Sequence, residues 1–122
     1  MSRREQVFHG WGEPGAGPAL PDHAAGFLRS ELGVDGAVIA PPPALEDVAV
    51  PESALDAGAR DRLAGIVGEE HVRSDREARV LRAAGKSYLD LLAQRSRALP
   101  AAPDAVVAPG SAAEVGAVVR AC

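Results

Sequence analysis

The feature that most limits how this chain can fold is its glycine and proline content. Thirteen glycines and ten prolines occur among 122 residues. Seven of them lie in residues 1–21, which predicts an irregular arm in which Trp11 is an anchor that packs against the rest of the protein. Pro41-Pro42-Pro43 removes three backbone donors and favours polyproline II, so residues 34–51 are predicted to be an extended linker.

The apolar residues predict a thin core. Hydrophobic residues make up 47% of the chain, but many are alanine, and the aromatic residues are Phe8, Trp11, Phe27 and Tyr88. Burial stabilises by roughly 25 cal/mol per Å² of apolar surface, and an alanine side chain removes little area from water. We therefore expect a mostly helical, loosely packed chain that depends on other protein for stability.

Charge and cysteine content exclude several classes of function. The net charge is −4 and no block of lysine or arginine stands out, so nucleic-acid binding is not expected. No apolar run reaches the length of about 18 residues that a membrane span needs. The single cysteine, Cys122, forms no internal disulfide, which indicates a reducing compartment and predicts a cytoplasmic protein.

Helical spacing appears three times before residue 100. The first helix is predicted over 22–32, with Gly33 at its end. The second is predicted to open at Ser53, where Asp56 completes a weakened capping box, and to end at Gly68. A third helix is predicted to start near Arg76 after a cap at Ser74 or Asp75. Gly85-Lys86-Ser87 interrupts it, before a second apolar cluster comprising Tyr88, Leu89, Leu91 and Leu92.

The last segment has the clearest pattern. A short β-type run over 105–108 is followed by a Pro109-Gly110 turn and by Ser111-Ala112-Ala113-Glu114, which has the form of a capping box. Val115, Val118 and Val119 then share one helical face. This predicts a strand–turn–helix unit whose helix packs on a sheet and whose strand has no partner within this chain.

No catalytic, cofactor-binding or metal-binding residue is predicted. Gly85-Lys86-Ser87 lacks the first glycine of a phosphate loop, because Val80 occupies that position, and Gly12–Gly17 neither follows a strand nor opens a helix. The histidines His9, His23 and His71 are too scattered for a zinc site, and Cys122 has no histidine near it in sequence that would make a reactive thiol. Four acidic residues could in principle form an acid–base pair, but acidic residues on loops are usually only solvated: Glu13, Asp22, Glu46 and Asp47.

A row of arginines is the one charged cluster. Arg76, Arg79 and Arg82 follow Arg73 at a spacing that places them on one helix face. Such a face binds an anion or forms ion pairs, and a solvated or salt-bridged surface is the preferred interpretation because exposed pairs contribute little.

The order of these segments resembles a known family. Trp11-Gly12-Glu13-Pro14-Gly15 is similar to the N-terminal arm of alkyldihydroxyacetonephosphate synthase-like flavoproteins, and 74–91 looks like the segment that precedes their flavin domain. Residues 103–115 resemble the opening of the FAD domain (PCMH-type) of the wider vanillyl-alcohol-oxidase superfamily.

The resemblance implies an α+β fragment of an FAD-dependent oxidoreductase. Residues 1–100 would be an arm and helical region that packs on the flavin domain, and residues 101–122 would be the first strand and helix of that domain, truncated before its pyrophosphate-binding Gly-rich turn. The parent enzyme would use FAD, either to oxidise a hydroxy acid or to exchange an acyl for an alkyl group. The fragment alone would be inactive and would bind no cofactor.

The partners implied are the C-terminal flavin and substrate domains, and exposed apolar faces predict self-association in their absence. The alternative function is a small, non-catalytic helical interaction module. A compact monomer that melts cooperatively would favour that alternative.

Overall fold

The chain is a small α+β protein. The structure, a computed structural model, describes residues 6–15, 17, 19, 21–34, 41–97, 99 and 101–122. Within these ranges the elements in chain order are α1 (Ala24–Leu32), α2 (Ala57–Val67), β1 (Val72–Arg73), α3 (Arg76–Leu81), α4 (Tyr88–Arg95), β2 (Val106–Val107) and α5 (Ala112–Ala121). Single 3₁₀ turns occur at Leu45–Asp47 and Glu69–His71.

Side-chain caps determine where four of the helices begin. The Asp75 carboxylate accepts from the Ala78 amide at 3.0 Å before α3, and Ser87 and Asp90 form a reciprocal capping box at α4. The cap of α2 is Asp56, which accepts from the Ala59 amide at 2.8 Å. The prediction that Ser53 opens this helix is therefore wrong. The Ser53 hydroxyl donates instead to the Asp104 carbonyl at 2.9 Å.

Two glycines end helices as predicted. Gly33 has φ 62° after α1, and Gly68 has φ 92° after α2. These values lie in the left-handed region that glycine adopts without a steric penalty. The helix predicted over 22–32 is confirmed, with its first helical residue at Ala24.

The strand predicted near residue 106 has a partner within the chain. β1 and β2 pair antiparallel, with Val72 opposite Val107 and Arg73 opposite Val106. The prediction of an unpaired strand is wrong because Val72–Arg73 supply the second strand. The Ala108 amide extends the pairing by donating to the His71 carbonyl at 3.0 Å.

This small sheet carries the first of two apolar clusters. Leu63 and Val67 of α2 are buried together with Val72 of β1. Val118 and Ala121 of α5 pack against this cluster, so α5 lies on α2. β2 and α5 are therefore packed against α2 and β1. The division of the chain at residue 100 stays a prediction.

The second cluster contains a residue of the predicted linker. Val48 is 1% exposed and packs with Val80 of α3 and with Leu99. Pro43 is also buried. The described part of the linker, 41–51, is thus not a simple spacer, because Val48 contributes to the core; residues 35–40 lie outside the described ranges.

None of the helices in the described ranges is long and apolar enough to cross a membrane.

Candidate functional site

The N-terminal arm is attached to the start of α4 by hydrogen bonds to its backbone. The Lys86 ammonium donates to the carbonyls of Val7 and Gly10. The Trp11 indole N–H donates to the Lys86 carbonyl at 2.9 Å. The Arg95 Nε at the other end of α4 donates to the His9 carbonyl at 3.1 Å. Residues 7–11 of the arm are therefore bound at both ends of α4.

Lys86 makes these contacts from an unfavourable backbone conformation. Its φ is 60°, in the left-handed region, which costs a residue with a side chain roughly 1–2 kcal/mol. Burial, and then the neighbouring Arg82, lowers the pKa of the Lys86 ammonium. The helix break predicted at Gly85-Lys86-Ser87 is confirmed, and Lys86 binds the arm's carbonyls there.

The attached arm and α4 enclose a groove, which we call the arm groove. It is lined by His9, Gly10, Trp11, Tyr88, Leu91, Leu92 and Arg95, and its volume is about 290 Å³. Trp11 is 65% exposed and Tyr88 is 68% exposed. The prediction that Trp11 packs as an anchor is therefore wrong for the ring: its indole N–H attaches the arm, and its faces remain open to solvent.

The groove contains one fixed positive charge. Burial, followed by the positive charges of Arg95 and Lys86, lowers the pKa of the His9 imidazole. This shift favours the neutral form of the His9 imidazole. Arg95 uses its Nε for the His9 carbonyl, and among the described residues no acceptor contacts its two terminal nitrogens. The Arg95 guanidinium can still bind an anion in the bidentate manner typical of arginine.

The arginine row has a different role from the one predicted. Arg79 is 6% exposed and donates to the carbonyls of Pro103 and Pro51, each at 2.7 Å. Arg76 donates to the Val48 carbonyl. The preferred interpretation of a solvated or ion-paired surface is wrong for Arg79, because irregular proline-containing backbone leaves carbonyls that need a donor.

Arg73 follows the predicted behaviour. Its guanidinium binds the Asp75 carboxylate at 2.8 Å and the Glu77 carboxylate at 3.2 Å. The hydrogen bond with Asp75 raises the pKa of Arg73, and the same bond lowers the pKa of Asp75. This exposed network connects β1 to the start of α3.

The other candidate side chains are not brought together. His23 precedes α1, His71 lies 3.8 Å from the Glu70 carboxylate, and Cys122 is exposed at the end of α5. No group of three or more histidine, cysteine, aspartate or glutamate residues in the described ranges could hold a metal ion.

The turn before α5 differs from a turn that binds the pyrophosphate of FAD. The Ser111 hydroxyl accepts from the Glu114 amide at 3.2 Å, as predicted. The Glu114 carboxylate, however, accepts from the Gly110 amide at 2.7 Å. A helix start binds phosphate through free amides and a positive field. This turn offers an occupied amide and a negative charge, so it does not fit a diphosphate.

The arm groove was not predicted from the sequence, although part of its signal was present. Tyr88, Leu92 and Arg95 follow one another at helical spacing and lie on one face of α4. The sequence pattern assigns Tyr88 and Leu92 to an apolar cluster that does not include Arg95. The contacts of Lys86 and Arg95 to residues 7–10 span more than 75 positions of the chain, and no local pattern reports them.

Comparison with known proteins identifies a family. The chain is 36% identical over 117 residues to "Protein Rv2250A" of Mycobacterium tuberculosis (strain ATCC 25618 / H37Rv). The alignment covers 90% of this chain and 76% of that protein. The chain belongs to the family of Protein Rv2250A. No family model and no solved structure matches it. Family membership therefore rests on this relative, whose name states no activity.

Proposed function

We propose that the chain is the N-terminal portion of an FAD-dependent oxidoreductase, of the alkylglycerone-phosphate synthase-like or FAD-linked hydroxy-acid oxidase type. In this proposal it is not catalytic alone and contributes packing surface to a cytoplasmic flavoenzyme. The observation that carries it is the strand–turn–helix unit formed by β2 and α5, in the segment that resembles the opening of a PCMH-type FAD domain. The lone cysteine supports the reducing compartment.

The exposure of α5 supports a missing packing partner. Val118 is buried against α2, but Val115 is 47% exposed and Val119 is 71% exposed. A helix that follows a strand normally covers a sheet with its apolar face. The only strand paired with β2 in the described part of the chain is the two-residue β1, which is too small to cover that face.

The flavin itself would be held by other polypeptide. The Glu114 carboxylate is bound to the Gly110 amide of the turn at 109–111, and its negative charge repels a diphosphate. FAD would supply the redox chemistry of the assembled enzyme. The arm, helices and first strand of this chain would pack beside the flavin-binding polypeptide.

The coding DNA beyond the codon for Cys122, read in all frames, tests the proposal directly. We expect a frame that encodes a strand and then a Gly-Gly-Gly-Thr-Ser turn. That polypeptide should then be produced together with this chain, purified through a tag on this chain, and assayed for released FAD by its fluorescence.

Matched variants make the second step specific. Val119→Asp places a charge on the exposed face of α5 and should reduce the FAD recovered, whereas Arg62→Gln, on the exposed side of α2, should not. Unrelated sequence after Cys122, or equal recovery with both variants, would contradict the proposal.

A small helical interaction module is the second candidate. It is favoured by the pairing of β1 with β2 and by the packing of Val118 and Ala121 within the chain. A monomer at all concentrations in analytical ultracentrifugation, with one cooperative melting transition, would support the module. Concentration-dependent association that Val119→Asp abolishes would support the flavoenzyme portion.

A further inference from the structure

The arm groove presents aromatic surface in a fixed arrangement. The ring of Trp11 is exposed although its indole N–H is bound to the Lys86 carbonyl, so the ring is oriented and not free to turn away. Tyr88 begins α4, whose capping box fixes that turn of the helix. Rings that are already ordered lose less conformational entropy when a ligand binds them.

The lining of the groove is mostly apolar and includes one arginine. Leu91 is buried and Leu92 is half-exposed beside the two rings, while Arg95 is the charged lining residue. The two terminal nitrogens of Arg95 offer a bidentate site that fits a carboxylate.

The size of the groove limits the ligand. Pockets for drug-sized molecules run from about 300 to 1,000 Å³, and the arm groove, at about 290 Å³, lies just below this range. Flat rings stack favourably on tryptophan and tyrosine. We propose that the arm groove binds a small aromatic carboxylate, whose ring lies against Trp11 and Tyr88 and whose carboxylate pairs with the terminal nitrogens of Arg95.

This site is separate from the proposed flavin contact. It lies between the arm and α4, whereas the face of α5 discussed above carries Val115 and Val119. The inference does not depend on the flavoenzyme proposal, and its test uses the chain alone without FAD.

Phenylacetate and phenylacetamide form a matched pair of probes with the same ring and nearly the same size. Trp11 is the single tryptophan, so its fluorescence reports on the groove. Amide shifts in two-dimensional NMR spectra locate the binding. We expect saturable binding of phenylacetate with shifts confined to residues 9–11 and 88–95, and at least roughly tenfold weaker binding of phenylacetamide, because a charged hydrogen bond is lost.

Three variants separate the charge from the ring surface. Arg95→Gln should weaken phenylacetate binding about tenfold. Tyr88→Ala, which leaves every arm hydrogen bond in place, should weaken both probes several-fold. Arg62→Gln is the control for a surface arginine and should change neither. Equal binding of the two probes, shifts outside the groove, or no saturation of the phenylacetate signal would each overturn the inference.

Discussion

Two regions of this molecule are held together by different kinds of interaction. The sheet region, residues 57–73 and 101–122, is joined by side chains of α2 and α5 packed together and by the backbone pairing of β1 with β2. The arm region, residues 6–15, 41–51, 76–97 and 99, has among its described residues one small apolar cluster around Val48. Its distant segments are joined mainly by cationic side chains bound to carbonyls.

The difference follows from backbone chemistry. A proline has no amide hydrogen but keeps its carbonyl, and irregular backbone pairs few carbonyls with amides. Lys86, Arg76, Arg79 and Arg95 provide the missing donors to residues 7–10, 48, 51 and 103. A chain rich in glycine and proline can thus be ordered by long cationic side chains where it has no regular ladder.

The largest expected effect is in the apolar sheet region. Leu63→Ala deletes a buried side chain that contacts the centre of the α2–α5 packing, and should lower the free energy of unfolding by about 3 kcal/mol. Urea denaturation followed by far-UV circular dichroism measures it. Leu89→Ala is the control, since Leu89 is 75% exposed, and should change stability by less than about 0.5 kcal/mol. Equal effects of the two changes would remove the distinction between packed and open surfaces.

Arg79 connects the two regions and gives the second largest effect. Arg79→Met keeps much of the side-chain volume but leaves the carbonyls of Pro51 and Pro103 without their donors, at a cost of about 2 kcal/mol. The same measurement on Arg82→Met, one turn further along and exposed, should show a change of less than about 0.5 kcal/mol. If Arg79→Met were as mild as Arg82→Met, carbonyl binding would not account for the order of the arm region.

Local features throughout the molecule could be predicted from the sequence, whereas contacts between distant segments could not. The cap of α3, predicted at Ser74 or Asp75, is Asp75. The cap at Ser111, the glycine ends of α1 and α2, and the unit formed by β2 and α5 also follow from local patterns and are confirmed. Local patterns work there because capping and left-handed turns depend on residues within one helical turn.

The long-range contacts could not be predicted in this way. Val72 and Arg73 are too short a run to indicate a strand, and only their pairing with residues 106–107 makes them one. Arg79 has the spacing of a surface residue, and its burial depends on two carbonyls that lie 28 and 24 positions away. The arm groove likewise forms only through contacts between the arm and residues 86 and 95. The sequence therefore indicates its two sides, an arm and an apolar cluster, but not the groove between them.

The cap of α5 gives a smaller effect within the sheet region. Ser111→Ala removes the oxygen that accepts from the Glu114 amide and should cost about 1 kcal/mol. Ser111→Asp keeps an acceptor at that position and should retain most of the stability. Thermal denaturation of the three proteins ranks them. If alanine and aspartate were equally destabilising, the cap would not explain where α5 begins.

The smallest effect should be confined to the arm region and should depend on pH. The pKa of His9 in the attached arm lies below its ordinary value of 6.5, mainly because of burial. As the pH falls, the His9 imidazole therefore gains a proton at a higher pH in the released arm than in the attached arm. The stability of the arm contacts is therefore fully present above 6.5 and is lost as the pH falls through the lowered pKa. The Trp11 indole N–H signal in NMR spectra reports its bond to Lys86 and should move toward the free position over that window. His9→Asn should abolish the transition and His71→Asn should leave it unchanged, whereas a transition that survived His9→Asn would assign the acid sensitivity to another group.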